Sequence, residues 1–359
     1  MTDPAEKPPR RPRYHGKHPR QFAEKYKEHD PARFADDVAK VLASGKTPAG
    51  THRPIMVREI LQVLAPQPGE FAVDCTLGYG GHARELLAAV QPGGRLLAVD
   101  ADPIELPKTE ARLRALDFPS ESLIVRRSNF AGVAQLIAAA APEGVDMLLA
   151  DLGLSSMQID DPARGFTFKA DGPLDMRMNP ARGESAAALL ARMDRTELAT
   201  LLEENADEPR AAQLAAAITF AQSREPLTTT QGLAGVVQAI ISRLPQRTND
   251  HADDAVRRVF QALRIAVNDE FGALDMLLRN LPYCLKPSGR VAILTFHSGE
   301  DRRVKLAFKQ GLRDGLYSSV ADEVVRASPA EQRANPRSSS AKLRYAVRSS
   351  DKHDAQVSG

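Results

Sequence analysis

Residues 71–100 read FAVDCTLGYGGHARELLAAVQPGGRLLAVD. FAVDCT (71–76) has the length and apolar character of a short buried strand. GYGGH (78–82) is a glycine turn, ARELLAAV (83–90) a helix, and RLLAVD (95–100) a second buried strand. Two apolar strands joined through a helix belong to a parallel sheet covered on both faces. The same alternation continues downstream. DPIELPKTEARLRAL (102–116) reads as a helix, LIVRRS (123–128) as a strand, FAGVAQLIAAA (130–140) as a helix and VDMLLADLG (145–153) as a fourth strand. Upstream, PIMVREILQVLA (54–65) sets Ile55, Ile60, Leu61 and Leu64 on one helical stripe, and PQPG (66–69) ends it. The pattern predicts an α/β fold with a doubly wound, Rossmann-like sheet.

The alternation stops after residue 153. Residues 155–182 form a long Gly/Pro/Asp-rich loop, and 184–247 hold only helix-like patterns, the last capped within Thr228–Thr230. Residues 253–281 read as one long amphipathic helix, with Val256, Val259, Phe260, Leu263, Val267, Phe271 and Leu274 at three- and four-residue spacing. KPSG (286–289) is a turn, RVAILTF (290–296) a fifth buried strand, DRRVKLAFKQ the start of a helix, and KLRYAVR (342–348) a final edge strand. The organisation expected is a basic extension over 1–50, a discontinuous sheet domain over 51–155 and 253–349, an all-helical insertion over 156–252, and a tail over 350–359.

With 48 Lys+Arg against 46 Asp+Glu in 359 residues, the net charge is only +2, so charge is informative only where it is local. It is local between Lys7 and Arg20, where six cations (Lys7, Arg10, Arg11, Arg13, Lys17, Arg20) meet no acid. Such a segment is a solvated tail, an arm on nucleic-acid phosphate, or an organellar address. No apolar run approaches the length of a membrane span, and the basic start lacks a secretory core, so the expected location is the cytoplasm. Cys75 and Cys284 sit in apolar contexts and are expected as buried thiols. Trp is absent and aromatics are 5%, so any base-stacking surface is sparse.

Three clusters fall at strand ends. The first turn carries Asp74, Gly78, Gly80, Gly81 and His82, and Asp100 ends the second strand. Glycines there admit a ligand close to the backbone at a helix start, and a terminal acid accepts ribose hydroxyls. Gly78-x-Gly80-x-x-Ala83 satisfies a dinucleotide fingerprint, and the same turn cradles S-adenosylmethionine (SAM), whose ammonium would find Asp74. Asp151 lies at the tip of the fourth strand, where a carboxylate can accept from an amine and hold its proton. The loop beyond it, with Asp160, Asp161, Arg164, Asp171, Asp175 and Arg177, is expected too polar for a core. Phe166 and Phe168 in it either stack on a base or anchor the loop. His297, Glu300, Asp301 and Arg302 follow the fifth strand. No second His is spaced for a metal, and none is expected.

Taken together, HRPIMVREIL, DCTLGYGGHARELL, LLAVDADP, LLADLGLSSMQIDDPARGFTFKADGPLDMRMNP, RRVFQALRIAVNDE, LKPSGRVAILTFHSGEDRRVK and NPRSSSAKLR resemble the ribosomal RNA small-subunit methyltransferase H (MraW) family over residues 52–345. The resemblance implies a SAM-dependent methyltransferase sheet interrupted by a helical insertion. It implies methyl transfer to the exocyclic N4 of a cytidine in the decoding centre of 16S rRNA within the small ribosomal subunit. It places SAM on Gly80, Gly81, His82, Asp100, Phe130, Asp151 and Gln158, with Phe130 as the apolar wall for adenine. Asp151 and His297 are the catalytic candidates, and the insertion is the RNA-recognition element. This sequence departs from the pattern in its N-terminal extension, in Gly299 where a Leu is common, in ENADEPRAAQLA within the insertion, and in a short 309–335 segment. Alternatives are an amino-methyltransferase of DNA or another RNA, and a non-catalytic assembly factor. Monomer and homodimer both stay open.

Overall fold

The computed structural model describes residues 54–245 and 251–350. The expectations for the basic extension at 1–50 and for the tail beyond residue 350 lie outside them. β1 (Phe71–Asp74), β2 (Arg95–Asp100), β3 (Leu123–Arg127), β4 (Val145–Asp151), β5 (Leu285–Thr295), β6 (Tyr317–Val320) and β7 (Lys342–Arg348) form one seven-stranded sheet in the order β3-β2-β1-β4-β5-β7-β6. The first five are parallel, and β7 runs antiparallel to both β5 and β6. Chain order reverses between β1 and β4, so the crevice at their carboxyl ends is the ligand position of such sheets.

Alternate residues of each strand go to opposite faces. Val73, Val99, Leu148, Val291 and Ile293 pack under α4 (Val133–Ala140), α11 (Glu270–Cys284) and α12 (Ser298–Arg313). Ala72, Leu96, Ala98, Met147, Leu149 and Leu294 pack under α1 (Val57–Leu64), α2 (Gly81–Ala89) and α3 (Leu106–Arg114). Burial on both faces is why these strands read as continuous apolar runs. Cys75 and Cys284 are free, buried thiols, as expected.

Beyond β4 come a short helix, α5 (Ser156–Asp160), and then α6 (Ala186–Arg192), α7 (Arg195–Ala206), α8 (Ala211–Arg224), α9 (Thr230–Ile241) and α10 (Ala252–Asn268). They bury a separate core that includes Leu190, Leu198, Leu214, Leu233, Val256 and Leu263. Asp194 and Glu197 cap α7 reciprocally, and Thr229 caps α9.

Several boundaries differ from expectation. The helix expected over 253–281 is two, because Asp269 takes a left-handed φ of 48° and ends α10 as it starts α11. The helix expected from 102 starts at Leu106, since Asp102 turns its carboxylate onto the Ile104 and Glu105 amides. The expected 286–289 turn is a bulge inside β5, which already pairs at Leu285 and resumes at Arg290. The edge position expected for β7 belongs to β6, a strand with no apolar run to announce it.

Candidate active site

β1 and β4 bring Asp74 and Asp151 together at their carboxyl ends. Thr76 ties the tips: its Oγ1 accepts from the Asp151 amide at 2.7 Å and lies 3.4 Å from Asp74 Oδ1, which also accepts from the Thr76 amide at 3.0 Å. Asp74 is 1% exposed, and burial pushes its carboxyl up to about 6 despite the Thr76 amide and His82. His82, in the first turn of α2, places Nε2 3.4 Å from Asp151 Oδ2. Burial works against its charge, but Asp151, Asp74 and Glu85 outweigh that and hold its pKa above the ordinary histidine value. Two buried acceptors, Asp74 Oδ2 and Asp151 Oδ1, have no hydrogen-bond partner among the described residues. Buried polar atoms are seldom left so, and a ligand's donors are a natural completion.

The glycine turn is closely packed against its neighbours. A Cβ on Gly80 would stand 2.9 Å from Thr109 Cγ2, and one on Gly81 2.9 Å from Pro54 Cγ. At both positions the absent side chain lets the turn pack against α3 and the chain before α1. The amides of Gly78 and Gly80 are held internally, by Asp100 Oδ2 at 2.7 Å and Leu77 O at 2.7 Å. The helix that follows, α2, has no side-chain cap on its first-turn amides.

Asp100, at the tip of β2, accepts from the Gly78 amide and, at 2.8 Å, from the Asp102 amide. Burial raises its pKa. Its remaining lone pairs stay available, since a carboxylate has about four acceptor sites. Phe130 lies in a single turn after β3, partly buried against the apolar layer under α4.

Gln158 reaches the site through a residue that the sequence did not single out. Its Nε2 donates to Asp102 Oδ2 at 2.7 Å, and Arg164 donates to the same oxygen at 2.9 Å. Asp102 is 1% exposed; burial opposes its charge, but Gln158 and Arg164 outweigh it and hold the carboxyl below the usual range. Arg164 also donates to the carbonyls of Arg177 and Met178 at 3.2 and 2.8 Å. Asn268 donates to Met176 O and accepts from the Met178 amide, so α10 holds the same stretch, in which Met176 has a left-handed φ of 61°. The loop is therefore a clamped element built on a buried ion pair. Phe166 is buried in the helical core and Phe168 packs edge-on against Phe260 at 5.5 Å, so both anchor the loop rather than stack on a base.

His297 stands in a different network. Its Nε2 is 3.2 Å from Glu300 Oε1, and its ring is 5.8 Å from that of Phe271. Among the described residues no hydrogen bond or ion pair joins it to Asp151. Glu270, His297 and Glu300 offer ligand atoms within 4.8 Å of one another. However, Arg264 holds both oxygens of Glu270, at 2.8 and 2.9 Å. A guanidinium already supplies the cation there. Asp301 turns away to Arg344 and Lys342 at 2.6 and 3.1 Å, locking α12 to β7.

Comparison with known proteins places this geometry. A family model described as the MraW methylase family matches residues 49–349. "Ribosomal RNA small subunit methyltransferase H 2" of Alkaliphilus metalliredigens is 47% identical, covering 97% of this chain and 100% of its own length. "Ribosomal RNA small subunit methyltransferase H 1" of Lachnoclostridium phytofermentans is 47% identical over 94% of this chain and 93% of its own. "Ribosomal RNA small subunit methyltransferase H" of Granulibacter bethesdensis is 39% identical over 84% and 92%. Among the described residues no helix is long and apolar enough to cross a membrane.

Proposed function

The chain belongs to the MraW methylase family, and on that premise we propose that it methylates the exocyclic N4 of a cytidine in the decoding centre of 16S rRNA. It is a methyltransferase with S-adenosyl-L-methionine as cofactor and the Rossmann-like sheet that goes with it. The observation that carries the assignment of the site is the pair of unpartnered buried acceptors, Asp74 Oδ2 and Asp151 Oδ1, beside the uncapped start of α2. That donor-and-acceptor set suits an amino acid's ammonium and carboxylate. Asp100 suits ribose hydroxyls, and Phe130 suits the adenine wall. Gln158 acts through Asp102, by fixing the loop that follows Asp151.

When bound, SAM supplies a methyl group on a positively charged sulfur. The N4 lone pair is delocalised into the cytosine ring, so the protein's contribution is alignment and proton handling; alignment alone can supply several kcal/mol. As the N4–methyl bond forms and the sulfur–methyl bond breaks, N4 must lose one proton. Asp151 Oδ1 is the acceptor we assign to that amino group, with His82 steadying the other carboxylate oxygen. The base must leave its stack to reach this crevice. His297 orients the rim of the crevice through Glu300 and α12. The helical insertion (156–252) is proposed as the RNA-recognition element of a methyltransferase domain formed by 51–155 and 253–349, with the basic extension and the NPRSSSAKLR segment (335–344) as further backbone contacts.

The test is transfer of labelled methyl from SAM to small ribosomal subunits, DNA and metabolite pools in parallel. Label in 16S rRNA cytidine supports the proposal, and label in DNA or metabolites alone replaces it. Asp151→Asn is expected to lower turnover at least ~100-fold, with a far smaller loss of SAM affinity by calorimetry. Unchanged turnover would remove Asp151 from proton handling.

A further inference from the structure

α12 begins at the rim of the crevice, just past the β5 residue Leu294 that pairs with Asp151, and packs Val304 and Phe308 onto the sheet. Its opposite face carries Arg302, Lys305, Lys309 and Arg313, spaced by three and four residues, so they form one stripe. Lys305 and Lys309 are exposed and have no ion pair or hydrogen bond among the described residues. The acids of the helix do not offset them: Glu300 is buried on His297, and Asp301 is held by Arg344 and Lys342. α11 lies alongside, tied by Arg303 to Asp275 at 3.0 Å. One turn apart on its outer face stand Arg279, also without a partner, and Tyr283, which is 72% exposed. Arg302 pairs with Asp207 at 3.1 Å and Arg313 donates to Gln310, so among the described residues the uncompensated cations of this face are Lys305, Lys309 and Arg279, beside an exposed aromatic.

We infer that the outer face of α11 and α12 holds the sugar–phosphate backbone of the RNA that flanks the target nucleotide. The inference rests on the proposed rRNA activity and adds to it a surface outside the helical insertion. Unpaired Lys and Arg on flexible stems are what phosphate neutralisation requires, and an exposed Tyr offers a face to an unpaired base. The stripe from Arg302 to Arg313 is about 16 Å long, enough for several consecutive phosphates. It leads away from the strand ends, so a strand whose base is inserted in the crevice has a continuous basic track to follow. None of these side chains touches the acceptors of the site, so the surface acts on RNA affinity and not on chemistry.

The test compares full-length wild type with Arg279→Glu/Lys305→Glu/Lys309→Glu. Three quantities are read: KM and kcat for small ribosomal subunits, the salt dependence of binding to their extracted RNA, and SAM affinity by calorimetry. The variant should raise KM at least ~10-fold and make the slope of log K against log salt shallower by about 2, roughly 0.7 per lost contact. kcat and SAM affinity should hold. Lys305→Arg/Lys309→Arg should keep the wild-type KM. Lys305→Gln/Lys309→Gln, which adds no repulsion and removes no partner, covers the case in which the triple variant misfolds, and should still raise KM. An unchanged KM and slope, with wild type methylating the RNA, overturns this inference and leaves the proposed function standing. If wild type transfers no methyl to rRNA, the functional proposal fails, and RNA retention on filters judges the surface alone: equal retention of variant and wild type rejects it. Retention on anionic phospholipid vesicles, with no difference on RNA, reassigns the face to a membrane and also rejects it.

Discussion

Asp74 carries an electrostatic conflict: its carboxyl is 1% exposed, and its Oδ2 has no hydrogen-bond partner among the described residues. Burial raises its carboxyl from 3.8 to about 6 in the folded protein. The folded state therefore binds that proton more tightly than the unfolded chain does. The group's contribution to stability is fully present below about 3.8, falls as pH rises to about 6, and is lost above it, a difference on the order of 3 kcal/mol. In SAM-free protein, Asp74→Asn is expected to flatten the stability profile between pH 4 and 6 and to raise stability at pH 7, read by urea unfolding across that range. The same substitution should weaken SAM binding in calorimetry, because a charged acceptor for the ammonium is gone. A pH profile identical to wild type would show that Asp74 is not the strained group. Gly80 tests a packing claim rather than a charge. With φ at 75° and a hypothetical Cβ 2.9 Å from buried Thr109, Gly80→Ala should cost about 1–3 kcal/mol in thermal or chemical unfolding. A melting temperature equal to wild type would contradict the steric account.

Among the elements, the loop between β4 and α6 depends most on one buried pair. Arg164 and Gln158 converge on Asp102 Oδ2, and Arg164 continues to the carbonyls of Arg177 and Met178. Removing one member of a buried pair strands the other charge, so Arg164→Ala should destabilise by roughly 3 kcal/mol. It should also open residues 155–182 to proteolysis. Coupling to Asp102→Asn in a double-mutant cycle should be well above zero; additive effects would mean the two act separately. This element also marks where sequence patterning stops informing. Strands β1 to β5 were legible because parallel strands buried on both faces are uninterrupted apolar runs. Arg164 reads as part of a polar loop because composition does not show a partner far along the chain. The break at Asp269 was hidden because the apolar spacing runs on from Val267 to Phe271 and Leu274, and one left-handed residue leaves no trace in a periodicity. The glycines of the first turn are legible as glycines, but their close packing against Thr109 and Pro54 is not, since both neighbours come from other elements.

At the scale of the whole molecule, the sheet and the helical core are held together around the crevice. Asn268 bonds the 176–178 stretch, and Asp207 at the end of α7 accepts from Ser298 Oγ at 2.8 Å and pairs with Arg302 at 3.1 Å. The acceptors at the strand tips and the proposed RNA-facing surfaces are thus parts of one framework. Asp74, Asp100 and Asp151 are legible in the sequence as acids where strands end and turns begin, a place that topology alone makes chemical. The bonds that tie them to Thr76 and Asp102 are not legible in that way, because only the folded chain creates them. The central claim is that this framework methylates a cytidine amino group of small-subunit rRNA. It is tested most directly by nucleoside mass spectrometry of small-subunit rRNA from cells lacking the gene, complemented with wild type or with Asp100→Ala. The prediction is loss of N4-methylated cytidine, restored by wild type and not by Asp100→Ala. An unchanged modification profile in the deletion would contradict it.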